Sequence, residues 1–245
     1  MSGHSKWSTI KRKKGAIDAR RGKIFTKLIK EITIAAEQGG SDPETNPRLR
    51  SAVQTAKGMN MPKDNIQRAI NKANKDSASF QEVTFEGYLP HGIAVFIECL
   101  TDNNNRTVSN IRAIFSKRGG SLGTNGSLSF MFDRKGVITL PKGDLDPEEF
   151  ELEIIDAGVE EIDLNDDTFM ITTPLEDFHN VQKKLEDMGL DTESAELQRI
   201  PGETKEIPVE DALQILRTID EFEDDDDVQN VFHNLEVTEE VMEAM

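Results

Sequence analysis

The chain is poor in the residues from which most catalytic and metal sites are built. Its 245 residues include one cysteine, so no intramolecular disulfide can form, which is typical of a reducing compartment. The four histidines (His4, His91, His179 and His233) are far apart and lack metal-ligand spacing. The sequence also shows no recognisable pairing of a nucleophile with a base that would activate it. We therefore expect a protein that is not an enzyme and that uses no metal, cofactor or small-molecule substrate.

Long apolar runs are also missing. The longest, at residues 93–100, has eight residues, far fewer than the roughly 20 that a membrane-spanning helix needs. The charged N-terminal segment is followed by no apolar stretch of the kind found in signal peptides. We expect a soluble cytoplasmic protein with no membrane partner. Cys99 lies inside the apolar run and is predicted to be a buried apolar residue, because no histidine nearby would activate a catalytic thiol.

Positive charge is scarce overall and is concentrated at one end of the chain. The first 78 residues carry 17 Lys+Arg against 7 Asp+Glu, whereas the remaining 167 carry 12 against 39. The formal net charge of the chain is −17. Separation on this scale indicates a basic module that meets a polyanion, joined to an acidic remainder that repels one.

The basic residues predict a nucleic-acid-binding surface that contacts phosphates. The candidates in the N-terminal arm and first helix are Lys11, Arg12, Lys13, Lys14, Arg20, Arg21, Lys23, Lys27 and Lys30, and those on the next two helices are Arg48, Arg50, Lys57, Lys63, Arg68 and Lys72. Only Asp18 opposes the first group, and such dense like charges repel unless a partner neutralises them. A solvated face is the alternative. Trp7 and Phe25 are candidates for stacking on bases, although Phe25 also fits a helical core.

A polar stretch between a predicted strand and helix is a possible second contact, through Asp102, Asn103, Asn105 and Arg106. Helix capping by the Asp and Asn side chains is the simpler interpretation. Arg106 would then lie at a helix N-terminus, which disfavours a cation, and this conflict indicates that it faces a ligand or another chain.

Two further segments have a structural and a functional interpretation. Gly119, Gly120, Gly123 and Gly126 form a glycine-rich turn without a following Gly-Lys-Ser/Thr, which predicts a mobile hairpin connector rather than a nucleotide loop. Contact with a nucleic-acid backbone is its alternative. The acidic run at residues 224–227 predicts a solvated loop, or a segment that holds the basic module in an autoinhibited pose.

Periodicity predicts an α+β protein. Apolar stripes indicate three helices before residue 74, with Asn46-Pro47 starting the second and Gly39-Gly40 ending the first. Strands are predicted near residues 83–86, 93–100 and 127–132, with a helix at 107–117 before the third. Residues 137–200 follow the order βαββαβ, with one helix opening at Pro174, which is typical of a ferredoxin-like unit. The strands and helix predicted between residues 83 and 132 lack one helix and one strand of a packed unit. A helix at 209–222 and a strand at 228–235 would supply them.

The resulting architecture is a helical bundle plus two ferredoxin-like α+β domains, the last inserted into the middle one. We expect a basic helical domain at residues 1–79. The middle domain is predicted to be discontinuous, formed by residues 80–135 and 206–245, with the inserted domain at 136–205. This grouping depends on counting the elements that each segment lacks.

Long segments of the chain resemble the YebC/PmpR family nearly end to end. They include GHSKW (3–7), RGKIFTKLIKEITIAAEQGG (21–40), NPRLRSAVQTAK (46–57), EGYLPHGIAVFIECLTDNNNRT (86–107) and SFMFDRKG (129–136). The resemblance implies three domains around a cleft and a DNA-binding transcriptional regulator. It equally implies a second function, because other members act on the ribosome and relieve stalling at proline-rich stretches. Promoter DNA and ribosomal RNA therefore both remain as expected partners, because phosphate contacts do not distinguish them.

Overall fold

The computed structural model describes residues 17–73, 80–165 and 167–245, with side chains described from residue 22 onward except that of residue 165. Contacts divide the described residues into two compact units. The first contains residues 17–27, 80–133 and 200–245, and the second contains residues 28–73 and the described part of 134–199. Within the described residues, no helix is both long enough and apolar enough to cross a bilayer.

The described elements alternate between helices and short strands after an initial helical segment. In chain order they are α1 Ile17–Gly39, α2 Pro47–Gly58, α3 Lys63–Lys72, β1 Gln81–Leu89, β2 Ile93–Thr101, α4 Asn104–Lys117, β3 Ser121–Leu122, β4 Phe132–Pro141, α5 Pro147–Ile154, β5 Glu161–Asn165, β6 Thr168–Pro174, α6 Phe178–Asp187, β7 Ser194–Pro201, α7 Val209–Glu223, β8 Val228–His233 and α8 Glu239–Glu243. The α+β class, with a helical N-terminal segment and two four-stranded sheets, is confirmed.

Residue Asn46 joins the first two helices as the sequence predicts. Its side chain accepts a hydrogen bond from the Leu49 amide at 3.1 Å and donates to the Ala35 carbonyl at 2.7 Å, so it caps α2 and satisfies the end of α1 together. Pro47 occupies the first turn of α2, where its missing N–H costs nothing. Gly40 follows α1 with φ +91°, a conformation that favours glycine.

The first unit is built on a sheet in the order β3-β1-β2-β8. β2 is central, and its alternate residues pack on opposite faces. Ile93 and Ile97 face α4 and α7, while Ala94 and Phe96 pack on a separate cluster with Leu128. The segment between β3 and β4 therefore covers one face of the sheet, and two helices cover the other.

The second unit contains a sheet in the order β5-β6-β4-β7. This is the strand order of a split βαβ unit, with the antiparallel pairs β4–β6 and β5–β6 placing the third strand between the first two. Its core includes Ile138, Phe150, Phe169 and Val181 from strands and helices. Phe150 and Phe169 lie with ring centroids 4.6 Å apart.

Several element predictions are wrong in detail. Residues 127–132 form a 3-10 turn, Ser129–Met131, instead of a strand, because Leu128 and Phe132 anchor the segment to the sheet by side chains. The short strand Ser121–Leu122 pairs with β1 inside the predicted connector. The helix expected to open at Pro174 begins at Phe178. The sequence-based prediction also missed the last helix, Glu239–Glu243, which Thr238 caps.

Candidate nucleic-acid interface

The predicted phosphate-binding residues fall into three groups in the structure. Lys11, Arg12, Lys13 and Lys14, together with Trp7, lie outside the described residues. Arg20 and Arg21 lie in α1, and their side chains are not described. The others are on described parts of α1, α2 and α3: Lys23, Lys27, Lys30, Arg48, Arg50, Lys57, Lys63, Arg68 and Lys72.

Two lysines of α1 contact the acidic run of the same unit. Lys23 Nζ lies 2.8 Å from Asp224 Oδ1, and both side chains are about half exposed. Lys27 Nζ donates to the Glu223 carbonyl oxygen at 2.9 Å. The two contacts join the first turns of α1 to the end of α7. Two candidate phosphate ligands are thus held by protein oxygens, in contacts that water and salt weaken where they are exposed. Phe25 is partly buried.

Two arginines of α2 are held by protein groups. Arg48 Nε lies 2.7 Å from Glu31 Oε1, and its Nη1 donates to Gln38 Oε1 at 2.8 Å. Arg50 donates to the carbonyl oxygens of Pro43, at 3.1 Å, and of Glu44. These guanidinium groups join α2 to the end of α1 and to the connection between them. Their contribution to local structure is therefore direct.

The lysines of α2 and α3 differ from those arginines. Lys57, Lys63 and Lys72 are exposed, and none of their ammonium groups has a hydrogen bond or ion pair with another of the described residues. The exposed face of α3 also carries Gln67, whose Nε2 donates to Asn71 Oδ1 at 3.1 Å. Four residues separate α2 from α3, and Ile66 and Ile70 bury the other face of α3. The second unit therefore exposes the ammonium groups of Lys63 and Lys72 and two side-chain amides on α3, and the ammonium group of Lys57 on α2.

Arg106, the cation of the predicted second contact, is bound by two carboxylates. Asn103 caps α4 by accepting from the Arg106 amide at 3.1 Å, so the capping interpretation describes its local role. The Arg106 guanidinium donates to Asp227 Oδ2 at 2.7 Å and to Asp102 Oδ1 at 2.8 Å. These hydrogen bonds, first those to Asp227 and then the one to Asp102, raise the pKa of Arg106 above its ordinary value. The carboxylates offset the unfavourable position at the helix N-terminus. Asn105 is exposed.

The acidic run was expected to be a solvated loop, and this is wrong for its last residue. Asp227 is 3% exposed and also accepts hydrogen bonds from Thr101 at 3.2 Å and Thr107 at 2.9 Å. Asp225 accepts from Asn110, while Asp224 is exposed and bound to Lys23. The run is therefore anchored at one end in the first unit and reaches the basic helix at the other.

The glycine-rich turn is held in place by a buried carboxylate that the sequence-based prediction missed. Glu86, on β1, is 2% exposed, and its oxygens accept hydrogen bonds from the amides of Gly126, at 2.7 Å, and Leu128. Its carbonyl accepts from Gly123 at 2.7 Å. Three amides of one loop thus converge on one residue, which contradicts the expectation of a mobile connector. The only sequence signal in this loop is the alternation of the apolar residues Leu128, Phe130 and Phe132, and alternation predicts a strand.

The single cysteine is buried, as predicted. Cys99 is 2% exposed within the core of the first unit. Burial, with a smaller contribution from the charges of Asp225 and Asp227, raises its pKa to about 12. The thiol is therefore protonated and inert at neutral pH. In the part of the chain that the structure describes, no three His, Cys, Asp or Glu side chains form a metal-binding group.

Sequence comparison gives matches over nearly the whole chain. Residues 5–76 match the family model described as the TACO1/YebC protein N-terminal domain, and residues 80–235 match that of the TACO1/YebC second and third domain. A protein of Rubrobacter xylanophilus named "Probable transcriptional regulatory protein" is 50% identical over 99% of this chain and 98% of its own length. A relative in Chlorobaculum parvum with the same name is 49% identical over 100% of this chain and 99% of its own.

A solved structure has the same fold. The crystal structure of a conserved hypothetical protein from Aquifex aeolicus superposes with a TM-score of 0.82, at 42% identity, over 91% of this chain and 93% of that one. The likeness therefore holds for the amino-acid sequence as well as for the fold.

Proposed function

Because the chain belongs to the TACO1/YebC family, whose close relatives are named probable transcriptional regulatory proteins, we propose that it is a non-enzymatic regulator of gene expression that binds nucleic acid. The proposed contact is between phosphates and the exposed cations of α1–α3. The observation that carries it is the set Lys57, Lys63 and Lys72, which no described carboxylate neutralises in a chain of net charge −17. Each such lysine can release a counterion from a phosphodiester strand, which gives affinity without sequence choice.

Two kinds of nucleic acid offer a phosphodiester backbone to these lysines, namely promoter DNA and structured ribosomal RNA. The exposed face of α3 favours duplex DNA, because Gln67, Arg68 and Asn71 are residue types that hydrogen-bond to base edges in a major groove. The acidic body would keep the rest of the molecule away from the polyanion. Relief of ribosome stalling at proline-rich stretches is the alternative function, and preferred binding to ribosomal RNA would support it.

The test is a salt titration of the full chain with a labelled DNA duplex and, separately, a ribosomal RNA hairpin. If six to ten phosphates are contacted, log affinity falls with log salt with a slope of about −5 to −9 for the duplex. Tighter binding to the hairpin, together with co-sedimentation with ribosomes that survives DNase, would identify the RNA function. Absence of salt-dependent binding to either polymer would overturn the proposal.

Charge reversal separates this surface from the net charge of the protein. Replacing Lys57, Lys63 and Lys72 by glutamate is expected to lower affinity for the preferred polymer by at least about tenfold. The matched control reverses Lys142, Lys183 and Lys205, which changes the net charge equally but lies outside the basic segment. Equal losses in the two triple variants would show that only total charge matters and would refute this location of the site.

A further inference from the structure

Among the residues whose side chains the structure describes, the most exposed large apolar one is an aromatic residue of the first unit. Phe130 is 81% exposed, and its two neighbours along the alternation, Leu128 and Phe132, are 0% and 4% exposed. Those neighbours pack against Ala94 and Phe96 on the sheet. The ring is therefore directed outward from a segment that is anchored on both sides.

Hydrogen bonds, of which the one from the Leu128 amide is buried, anchor that segment. The Glu86 carboxylate holds the amides of Gly126 and Leu128, and the Ser129 hydroxyl donates to the Gly126 carbonyl at 3.0 Å. The Met131 amide closes the turn on Leu128 at 2.9 Å. An exposed ring on a fixed backbone loses little conformational freedom when it binds, so the loop is preorganised for a flat partner.

The composition of the loop identifies that partner. Residues 117–131 contain no acidic residue, although 46 of the 245 residues in the chain are Asp or Glu. They contain five hydroxyl or amide side chains: Ser121, Thr124, Asn125, Ser127 and Ser129. Tyr88, 40% exposed, lies beside them with its hydroxyl 3.8 Å from Met131 Sδ. Two exposed rings, on and beside a segment that has no acidic residue of its own and whose Glu86 partner is buried, suit a polyanion whose bases can stack.

We propose that Phe130 stacks on an unpaired base of single-stranded DNA or RNA, with the hydroxyl-rich loop beside it contacting sugar and phosphate. This inference rests on the proposed nucleic-acid function and adds to it a contact that is not charge-based. The ring contributes through its flat face, so the contact tolerates any base and does not release counterions.

The experiment compares two oligonucleotides of equal length and charge, one with bases and one abasic, titrated against the full chain. Phe130→Ala is expected to weaken binding of the base-containing strand by roughly five- to 150-fold, with an unchanged salt slope and unchanged affinity for the abasic strand. Leu152→Ala is the matched control, because Leu152 is 74% exposed but lies on α5. Unreactive Cys99 in each variant verifies that the fold is intact.

A spectroscopic signal locates the base directly. The chain has one tryptophan, Trp7, so Trp7→Phe combined with Phe130→Trp leaves a single tryptophan, at position 130, whose emission can be excited selectively over that of Tyr88. Its emission is expected to be quenched by the base-containing strand and unaffected by the abasic one. Running the strand as DNA and as RNA distinguishes the two sources.

Each other outcome counts against the inference in a distinguishable way. Wild-type binding that Phe130→Ala leaves unchanged would overturn the stacking contact while the proposed function stands. Failure of the wild type to bind either strand even at low salt would overturn the stacking contact, and it would remove the proposed function as well only if the duplex and the ribosomal RNA hairpin were also left unbound. A change in sedimentation of Phe130→Ala without nucleic acid would assign the ring to a protein–protein contact instead.

Discussion

The turn at Asp102–Arg106 and the exposed faces of α2 and α3 both carry cationic side chains, but in different surroundings. Arg106 is enclosed by Asp227, 121 residues further along the chain, and by Asp102. Lys57 and Lys63 meet no carboxylate among the described residues. A phosphate that approached Arg106 would compete with two carboxylates, one of them buried, for the guanidinium, whereas one that approached the lysines would displace only water and counterions. The comparison separates cations that build the fold from cations that remain available to a polyanion.

The largest expected effect tests the structural half of the comparison. Asp227→Ala removes the acceptor that Arg106, Thr101 and Thr107 share. We expect the free energy of unfolding to fall by about 3 kcal/mol, at the low end for a broken buried pair because Arg106 is 46% exposed. Urea denaturation followed by circular dichroism measures this change. The Asp102→Asn control removes the exposed partner and should cost less than about 1 kcal/mol.

The same variants show whether this turn also binds a ligand. Nucleic-acid affinity of Asp227→Ala, measured where the variant is still fully folded, should equal that of the wild type. A protein of normal stability that had lost nucleic-acid affinity would mean that the turn is a binding site, as the sequence first indicated, and would break the comparison.

Single neutralisations test the other half. Lys57→Gln, Lys63→Gln and Lys72→Gln should each reduce the magnitude of the salt slope by up to about 0.9 on duplex DNA and lower affinity roughly two- to eightfold at 0.1 M salt. Surface lysines without partners contribute little to folding, so stability should change by less than about 0.5 kcal/mol. Fluorescence anisotropy across a salt series measures the slope.

Arg48→Gln is the contrasting variant. Arg48 is bound to Glu31 and Gln38, so its neutralisation should lower stability more than the lysine changes do and leave the salt slope nearly unchanged. If Arg48→Gln changed the slope as much as Lys57→Gln, an ion pair within the protein would be no obstacle to phosphate binding.

Local signals in the sequence were sufficient where one residue decides the outcome. Asn46-Pro47 marks a helix start, Gly40 adopts a left-handed conformation, and the βαββαβ order predicts the strand arrangement of the second sheet. Phosphate binding by the cations and the three-domain division both stay predictions. The contact between Arg106 and Asp227 was not predictable, because helix-cap chemistry identifies the misplaced cation but says nothing about a carboxylate 121 residues away.

The loop that carries Phe130 was missed for a related reason. Alternating apolar residues predict a strand whether side chains or backbone hydrogen bonds hold the segment to its neighbours. Here Leu128 and Phe132 provide the anchoring, and the loop amides find their acceptor in Glu86, 40 residues earlier. Periodicity alone cannot report such a partner, because a glutamate in a strand is usually solvated.

The Lys23–Asp224 pair is intermediate between the cations that build the fold and those that remain available to a polyanion. We therefore expect a small effect from breaking it. Asp224→Asn frees the ammonium group of Lys23 and should raise nucleic-acid affinity about two- to fivefold, consistent with an exposed pair. Glu203→Gln, which removes one charge from an exposed carboxylate of the same unit, is the control for net charge. In a Lys23→Gln background Asp224→Asn should have no specific effect, and an undiminished gain there would exclude competition for Lys23.

The smallest effect concerns Glu221, which accepts hydrogen bonds from Lys117 and Arg118 at the base of the Phe130 loop. These bonds lower the pKa of Glu221, so its ionised form is favoured in the folded state. Its contribution to stability is therefore complete above the ordinary glutamate pKa, near 4.3, and is lost as the pH falls through the lowered value. Because Lys117 and Arg118 are exposed, we expect Glu221→Gln to destabilise the protein by about 0.5 kcal/mol at pH 7.

The pH dependence distinguishes this pairing from a loss of packing. The stability difference between wild type and Glu221→Gln, from urea denaturation, should shrink toward zero as the pH falls below the ordinary glutamate pKa and through the lowered value. A difference that stays constant between pH 7 and pH 3 would mean that the charge of Glu221 is not what holds Lys117 and Arg118. In that case both cations would belong with Lys57 and Lys63, available to the strand that the adjacent loop is proposed to bind.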